Sequence, residues 1–519
     1  MRRSTSLLTA LALVVGACAG SAEDTTTTVS QPESTTTTAE PTTTTAAEVS
    51  AQTEVVIGLQ LEPPTLDLTA SPAAAIPQVL LYNVYETLVK LEADGSITGL
   101  LAESWDVSED GLTYTFDLRE GVTFHSGAAL DADDVVFSIN HVLTKEPAHP
   151  FATTLAPISF VAAVDPSTVA ITVEQVSSNL LFFLTQSQGV ILDESAIGTI
   201  ANSPVGTGPF VFDSWTVGDS ITLVRNDDYW GEAALLETVR FRYINEPNAL
   251  NNAMLGDDLD IVAGVSAPEL LTAFESDDRF EVLQGLSNGE VTLSLNGRRA
   301  PLDDVRVRQA ITHAIDRQAV VDLAYAGYGT VIGTFSTPLD PWYRDLTDVY
   351  PYDPDRAVEL LVEAGAEDIT LEMILPPVSY ASRSGEIIAS QLAEVGITVN
   401  ITNVEWGVWL DDVFTNHDYD MSIVAHVEPR DLGQYGNPDY YWGNDSPQVA
   451  AILEQADAEP DPDTRNELYA SVLEEITAVA ADNWLFVLPA LSVIRRGVTG
   501  YEADLPGLAI DVTKLAVNP

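Results

Sequence analysis

The chain of 519 residues contains a single cysteine, Cys18. One cysteine excludes an internal disulfide, a cysteine-based zinc site and a paired-cysteine redox motif. The stability of the folded body must therefore come from buried apolar side chains, and the hydrophobic fraction of 46% is ordinary for globular proteins. A chain of this length is expected to form about three domain-sized units.

Basic residues are also scarce: 22 lysines and arginines stand against 78 aspartates and glutamates, which gives a formal net charge of −56. Proteins that bind nucleic acid obtain their affinity for phosphate from clustered lysine and arginine side chains. Attachment to anionic lipid through a basic patch needs the same residues. The composition therefore excludes both classes, and no nucleic-acid partner is expected. The acidity is typical of a soluble protein or a saline habitat and does not identify a ligand.

The motifs of common cofactor and metal sites are absent from the sequence. It holds neither a GxxxxGK[ST] phosphate-binding loop nor a dinucleotide-binding glycine motif, and its six histidines form no HExxH or HxH pattern. We therefore predict no cofactor, no metal site and no catalytic residue, and any ATP hydrolysis would belong to a separate subunit. A secreted glycoside hydrolase is the alternative class because carboxylates are abundant, although nothing singles out one catalytic pair.

One short motif suggests hydrolysis at first sight. Residues 285–289 match GxSxG, the motif of a nucleophile elbow, whose context is a strand, a sharp turn and a helix. Here the residues on both sides, 280–284 and 291–296, read as strands. The pattern therefore favours a hairpin-like connection over an elbow.

Long hydrophobic runs are missing too, so we predict no transmembrane helix. Residues 1–17 combine two arginines, a short apolar run and small residues, as in a secretory signal peptide. The string Val15-Gly16-Ala17-Cys18 resembles a bacterial lipobox, which implies a lipid on Cys18 and anchoring to the outer face of the cell membrane. The alternative is an ordinary signal peptide that happens to contain a cysteine. Residues 18–53 are rich in threonine and lack aromatic residues, which predicts a disordered tether.

Beyond residue 53, strand and helix patterns alternate, which predicts the α/β class. An Asp94-Gly95 turn indicates a hairpin loop over 92–96. Apolar spacing and capping residues predict strands over 54–59, 113–118, 168–173, 210–215 and 397–402, and helices over 78–89, 131–142, 303–326, 355–364, 384–394 and 464–480.

A series of short motifs recurs along this body in a characteristic order. They are PTLD (64–67), VYETLV (84–89), LAESW (101–105), LREGVTFHSG (118–127), PVGTGPF (204–210), RNDDYW (225–230), VRVRQAI (305–311), DR (316–317) and YDP (352–354). Together, from about Glu54 to Pro489, the chain resembles the extracytoplasmic solute-binding proteins of peptide- and nickel-type ABC importers, solute-binding family 5.

The resemblance implies a two-lobed periplasmic-binding-protein-like fold of type II, joined by two hinge crossings and carrying an extra subdomain. Its expected boundaries are 54–95, 204–292 and 486–519 for lobe one, 96–203 for the extra subdomain and 293–485 for lobe two. It also implies a monomeric receptor that captures a small solute and passes it to ABC permease subunits in the membrane. A di- or oligopeptide is the expected solute, and a metal chelate, an opine or an oligosaccharide are the alternatives.

Peptide-binding members pair the ligand's amine with a carboxylate that follows a strand and a Glu-Trp pair, here Glu405-Trp406. The corresponding stretch is 419–442. The resemblance thus implies Glu428 or Asp431 as the group that binds an amine, and Arg430 as a group that binds a carboxylate. The other candidates around the ligand are His426, Tyr435, Tyr440, Tyr441 and Trp442 in the same stretch, Trp406 and Trp409 before it, and Tyr82 and Asn83 from lobe one.

Two alternatives stay open at this point. Glu428, Arg430 and Asp431 could form an ion cluster on a surface loop, and the aromatic residues 440–442 could be core packing. Some relatives carry arginines in the strand before the loop, and here that strand has no cation, so capture of a ligand's carboxylate at the same positions is not expected.

Overall fold

The computed structural model describes residues 53–145, 149–177, 179–427 and 430–518. The predictions for the signal peptide, Cys18, the threonine-rich segment up to residue 52 and Glu428 concern residues outside these ranges. The strands, in chain order, are β1 Glu54–Leu59, β2 Val89–Leu91, β3 Ile97–Gly99, β4 Ala102–Val107, β5 Thr113–Leu118, β6 Ile158–Asp165, β7 Thr168–Val173, β8 Phe210–Thr216, β9 Ser220–Arg225, β10 Thr238–Tyr243, β11 Ile261–Ala263, β12 Phe280–Gly285, β13 Glu290–Leu295, β14 Thr330–Val331, β15 Thr370–Leu375, β16 Thr398–Asn403, β17 Met421–His426, β18 Asn483–Val487, β19 Ala490–Arg495, β20 Val498–Thr499 and β21 Ala516–Val517. The helices are α1 Ala75–Leu80, α2 Ala132–Thr144, α3 Ala152–Leu155, α4 Leu180–Phe183, α5 Pro247–Leu255, α6 Thr272–Glu275, α7 Val305–His313, α8 Arg317–Ala324, α9 Pro354–Ala364, α10 Ser379–Glu394, α11 Trp406–Trp409, α12 Pro447–Ala458 and α13 Pro462–Ala478.

Lobe one is built on a seven-stranded sheet with the order β12-β19-β11-β1-β10-β9-β8. β1 pairs in parallel with both β10 and β11, which places it at the centre. Its apolar residues Val55 and Ile57 are fully buried, because alternate side chains of a strand face the same side of a sheet. The mixture of strands and helices confirms the predicted α/β class.

The extra subdomain is a four-stranded antiparallel sheet with the order β4-β5-β7-β6. Tyr114, Phe116 and Leu118 of β5 alternate into its core. Helix α2 covers this sheet and begins at a capping box, in which the side chain of Asp131 accepts a backbone N–H and that of Asp134 accepts the N–H of Asp131. The acids predicted to open this helix therefore do so.

Lobe two is built on a six-stranded sheet with the order β14-β18-β13-β17-β15-β16. Every residue of the central strand β13 is buried. Helices α7 to α10 contribute Val307, Ile311, Val320 and Leu361, among others, to the core on one side of this sheet. Within the described ranges, no helix combines the length and the apolarity that crossing a membrane requires.

Two short crossings join the two large sheets. The chain leaves β12 of lobe one, passes through residues 286–289 and enters β13 of lobe two; it returns from β18 to β19 through Leu488 and Pro489. The crossings are hydrogen-bonded to each other, since Ser287 Oγ donates to the carbonyl of Leu488 at 2.6 Å and Leu488 N donates to the carbonyl of Gly289 at 2.8 Å. The predicted hairpin at the GxSxG motif is therefore wrong. Both strands exist, but they belong to different sheets, and the expected boundaries at 292/293 and 485/486 fall inside β13 and β18.

Two predicted helices also differ from the structure. The helix predicted over 78–89 ends at Leu80, because Tyr82 adopts a left-handed backbone with φ 65 and the amide of Asn83 binds the carbonyl of Val79. The apolar spacing of this stretch reflects burial rather than a continuous helix. The helix predicted over 303–326 is divided into α7 and α8, since Asp316 caps the start of α8 by accepting the N–H of Ala319 at 3.0 Å. The other predicted elements are confirmed, with shifts at their ends.

One buried carboxyl group connects two segments of lobe one, 54–95 and 204–292. Glu86, with 1% of its surface exposed, accepts hydrogen bonds from Thr207 Oγ1 at 2.8 Å, Tyr229 OH at 2.7 Å and Trp230 Nε1 at 3.0 Å. Burial raises the pKa of Glu86 to about 7. The four residues come from three of the sequence motifs, so these motifs encode one polar junction.

We expect Glu86→Ala to lower the free energy of unfolding by about 3 kcal/mol or more, because it leaves the buried hydroxyl of Thr207 and the half-buried donors of Tyr229 and Trp230 without an acceptor. Denaturant unfolding followed by circular dichroism measures this loss. Glu103→Ala is the matched control, since the Glu103 side chain is 62% exposed, and it should change the stability by no more than about 0.5 kcal/mol. Equal effects of the two substitutions would contradict the assignment.

Candidate functional site

The stretch after β17 folds into a cluster of aromatic rings in lobe two. We call His426, Tyr435, Tyr440, Tyr441 and Trp442 the aromatic cluster. Tyr435 stacks on Trp442 with ring centroids 4.4 Å apart, and His426 stacks on Tyr441 at 5.9 Å. Phe335, which the sequence did not point to, contacts the rings of His426, Tyr435 and Trp442 edge-on. The structure thus brings five of the predicted site residues together.

Burial limits what most of this cluster can contact. The exposed fractions of Tyr435, Tyr441 and Trp442 are 0%, 1% and 1%. Trp409 is similarly buried and donates from Nε1 to Ser422 Oγ at 2.9 Å, while Trp406 stacks on Trp409 and is 44% exposed. Full burial of large rings favours core packing, the alternative left open above, over contact with a ligand.

His426 connects the loop to the sheet of lobe two. Its Nδ1 lies 3.6 Å from Asp431 Oδ2, and its Nε2 lies 2.9 Å from the hydroxyl of Tyr441, which is 2.7 Å from Ser294 Oγ in β13. A buried network of this kind holds side chains in one arrangement. Because His426 contacts a buried tyrosine rather than an accessible nucleophile, the network positions the loop.

Asp482 is a buried carboxyl group that sequence reasoning missed. It accepts the N–H of Leu295 at 2.7 Å and the hydroxyl of Tyr435 at 2.8 Å, and Trp484 Nε1 donates to the same hydroxyl at 2.9 Å. Burial raises the pKa of Asp482 to about 8. The sequence signal that could have identified Asp482 is its position directly before β18, an apolar strand that is fully buried.

Arg430 projects away from the aromatic cluster toward the extra subdomain. Its guanidinium lies 4.4 Å from the ring of Phe182 in α4 and 5.5 Å from the ring of Trp342 in lobe two, and its Nη1 is 3.5 Å from Asn179 Oδ1. Burial lowers the pKa of Arg430 to about 10. Its partners lie up to 251 residues away in sequence, so no local pattern could have identified them.

The two candidates from lobe one are not part of this region. The hydroxyl of Tyr82 donates to the carbonyl of Thr185 at 2.8 Å and accepts the N–H of Leu91 at 3.1 Å. Asn83 is fully buried: its Nδ2 donates to the carbonyls of Val79 and Ile510, and its Oδ1 accepts the N–H of Val512. These bonds attach the C-terminal segment to α1 and favour a structural role for Asn83.

Open space lies at the junction of the subdomain and lobe two, next to Asn179. A groove with a volume of 320 Å³ is lined by Gln175, Ser177, Asn179 and Phe183 of the subdomain and by Asp457 of lobe two. Among the residues that the structure describes, no group of three or more histidine, cysteine, aspartate or glutamate side chains is arranged to hold a metal ion. The polar lining suits a small polar solute.

The fold and this two-lobed arrangement define a class of solute-binding proteins, and the comparisons with known proteins agree. The sequence profile of the bacterial extracellular solute-binding proteins, family 5, middle region, matches residues 96–444. The chain belongs to this family. Members of the family are transport binding proteins and not enzymes, which confirms the interpretation that the chain is no hydrolase.

Individual relatives cover most of the body. The chain is 30% identical over 362 residues to heme-binding protein A of Haemophilus influenzae, an alignment that covers 62% of this chain and 65% of that protein. It is 30% identical over 411 residues to di/tripeptide-binding protein 2 of Pseudomonas aeruginosa, covering 73% and 74% of the two chains. The structure of HbpA2 from Haemophilus parasuis superposes with a TM-score of 0.82 at 23% identity, over 90% of this chain and 100% of that one. The superposition confirms the predicted two-lobed fold.

We expect the thermal stability of the protein to fall as the pH rises through about 8, in part because of Asp482. Its pKa in the folded protein lies above its ordinary value of 3.8, so its favourable contribution is complete below pH 3.8 and is lost as the pH rises through about 8. In Asp482→Asn, which cannot ionise, the melting temperature should depend less steeply on pH.

The measurement is a series of melting curves between pH 3.8 and about 8 for the wild type, Asp482→Asn and a control variant. Asp278→Asn is the control, because Asp278 is exposed and its substitution should leave the slope unchanged. A slope for Asp482→Asn equal to that of the wild type would show that this carboxyl group does not titrate as proposed.

Proposed function

We propose that the chain is the extracytoplasmic substrate-binding component of an ABC importer. It would capture a small solute between its two lobes and deliver it to permease subunits in the membrane. A di- or oligopeptide is the favoured solute, supported by the similarity to a di/tripeptide-binding protein that covers 73% of this chain. The similarity to a heme-binding protein keeps the other solute classes, metal chelates, opines and oligosaccharides, as alternatives.

The observation that carries the proposal is the pair of crossings. Lobe one and lobe two each have their own hydrophobic core, and the crossings at 286–289 and 488–489 lie side by side. Short adjacent connections between two rigid bodies are the arrangement that allows closure around a ligand.

Some contacts between the lobes away from the crossings are polar and partly exposed. Arg383 Nη2 of lobe two pairs with Glu269 Oε1 of lobe one at 3.0 Å, with both side chains 46% exposed. Tyr328 OH donates to Glu275 Oε1 at 2.6 Å. Exposed ion pairs contribute little free energy, so contacts of this type can break and re-form as the lobes move.

A ligand screen by thermal shift tests the proposal. Peptides, metal chelates, opines and oligosaccharides are added to the purified protein, and we expect short peptides to raise its melting temperature. A ligand that binds only the folded state stabilises it by about 2.7 kcal/mol at a hundredfold excess over Kd. Binding of none of these classes, or hydrolysis of an added saccharide, would contradict the proposed function.

An engineered, reducible disulfide between the subdomain and lobe two tests whether ligand binding requires these two parts to move relative to each other. A Cβ at Gly111 would lie 3.4 Å from Pro460 Cβ, close to the separation of about 3.5–4.5 Å found in disulfides. In a Cys18→Ser background, Gly111→Cys with Pro460→Cys should bind the ligand slowly or not at all when oxidised, and reduction should restore binding. The single variant Gly111→Cys controls for strain, because Gly111 has a left-handed backbone with φ 71. Unchanged binding by the oxidised protein would argue against closure.

We further propose that Cys18 carries a lipid that anchors the mature protein to the outer face of the cell membrane. The lipobox-like string 15–18 and the threonine-rich stretch after it support this proposal. A single acyl chain gives only marginal membrane attachment, so stable anchoring needs more than one chain.

For the full chain expressed in a bacterial host with lipoprotein processing, we expect the membrane fraction to hold a protein that begins at residue 18 and carries acyl chains. Mass spectrometry of the N-terminal peptide measures both features. Cys18→Ser should release the protein into the soluble extracytoplasmic fraction. A wild type cleaved at another residue and free of lipid would favour the ordinary signal peptide.

A further inference from the structure

The loop 325–329, between α8 and β14, extends from lobe two onto lobe one. Tyr325 packs against the apolar cores of both lobes, and its ring centroid lies 6.1 Å from that of Phe486 in β18. Tyr328 packs against the same core of lobe one, and its hydroxyl donates to Glu275 Oε1 at 2.6 Å. The two tyrosines therefore form a contact between the lobes outside the crossings.

Backbone conformation holds this loop against the strand that leads into the second crossing. Ala326 and Gly327 have left-handed backbones with φ 56 and 83, and Gly329 has φ 139. Such values are accessible to glycine, whereas they cost free energy for alanine. A Cβ at Gly329 would lie 3.1 Å from Phe486 Cδ2, so the close approach to β18 favours glycine. The loop is thus a tightly folded projection of lobe two.

An ion pair lies beside the tyrosines. Arg383 Nη2 of α10 is 3.0 Å from Glu269 Oε1 of lobe one. Glu269 is also close enough to Tyr325 to influence it electrostatically. We call this ion pair, together with Tyr325, Tyr328 and Glu275, the rear contact.

The rear contact and the aromatic cluster lie on opposite faces of the sheet of lobe two. In β13, Leu293 faces the core that Tyr325 joins, whereas the next residue, Ser294, has its hydroxyl 2.7 Å from that of Tyr441 in the aromatic cluster. Alternate side chains of a strand point to opposite faces of its sheet. We call the face with the aromatic cluster the front face.

Lobe two also meets lobe one and the subdomain on the front face. Here a Cβ at Gly95 would lie 2.6 Å from the carbonyl oxygen of Leu339, and one at Gly111 would lie 3.4 Å from Pro460 Cβ. The crossings lie between these contacts and the rear contact. Because the crossings are short and adjacent, a rotation that brings the front faces together separates the residues of the rear contact.

We propose that the rear contact opposes closure over the solute and thereby sets the affinity of the receptor for it. The inference rests on the proposed function and assigns affinity to residues that do not touch the ligand. The apparent affinity for a ligand scales with the fraction of the protein that is in the binding-competent form. Weakening the rear contact should therefore tighten binding.

Reversal of charge in the ion pair tests this proposal. Arg383→Glu places two carboxylates opposite each other, and Glu269→Arg places two guanidinium groups there. Each single substitution should repel the lobes at the rear and shift the unliganded protein toward closure. The combined variant restores opposite charges and should behave like the wild type. Both side chains are 46% exposed, so the substitutions should leave the folding of each lobe intact.

Double electron–electron resonance measures closure without a ligand. Spin labels are attached at Glu109→Cys and Glu454→Cys, exposed positions on either side of the approach of Gly111 to Pro460, in a Cys18→Ser background. We expect shorter distances between the labels in both single variants and a smaller shift at high ionic strength, because salt screens exposed charges.

Arg356→Glu is the matched control. Arg356 pairs with Glu359 at 2.8 Å within α9, so this reversal acts inside lobe two and should leave the distances unchanged. Distances in Arg383→Glu that equal or exceed those of the wild type would overturn the proposal, as would a combined variant that keeps the shift of the single variants.

Isothermal titration calorimetry with trialanine measures the effect on affinity. We expect each single variant to bind about threefold more tightly than the wild type, and the combined variant to bind like the wild type. Equal affinity of all variants would overturn the role of the rear contact in binding. If trialanine binds to none of them, the peptide ligand fails, and the label distances alone decide whether the rear contact opposes closure.

Discussion

The two crossings between the large sheets are the constraint on which the rest of the structure depends. Within the described ranges, the chain passes between lobe one and lobe two near Ser287 and near Leu488, and the two passages are hydrogen-bonded to each other. The C-terminal segment supports the first passage, since Asp504 accepts the N–H of Leu286 at 2.6 Å and Asn288 donates to the carbonyl of Pro506 at 2.8 Å. A motion of one lobe against the other would therefore be confined to backbone rotation in a few adjacent residues.

The sequence predicted much of the fold because its signals were local. Strands with alternating burial, such as Thr113–Leu118, and helices with an acidic cap, such as Ala132–Thr144, appear where their patterns indicated. The predictions that were wrong concern segments whose pairing partners lie far away in the sequence. Strands on both sides of the GxSxG motif were recognised, but no local pattern shows that Phe280–Gly285 pairs with Ala490–Arg495 and Glu290–Leu295 with Met421–His426. The helix predicted over 78–89 ends early for a related reason. The side chain of Asn83 is hydrogen-bonded to the backbone of Ile510 and Val512, which lie more than 400 residues away in the sequence.

The candidate site was predicted only in part, because residue type does not distinguish a ligand wall from a core. The residue types of three aromatic side chains suit either a pocket wall or core packing, and their burial inside lobe two favours core packing: Tyr435, Tyr441 and Trp442. Arg430 was identified by its type, yet the rings that surround it come from Phe182 and Trp342, which no motif connects to it. By contrast, motifs far apart in the chain meet at Glu86, so their joint occurrence reflects a contact that the sequence alone did not reveal.

Arg430 lies where lobe two contacts the extra subdomain. A ligand shifts an equilibrium between open and closed forms only if it binds one form more tightly. Contact with Phe182 and Trp342 removes water from part of the Arg430 guanidinium, and this desolvation costs free energy. The overall charge of −56 has little influence here, because salt screens distant surface charges beyond about 8 Å at physiological ionic strength.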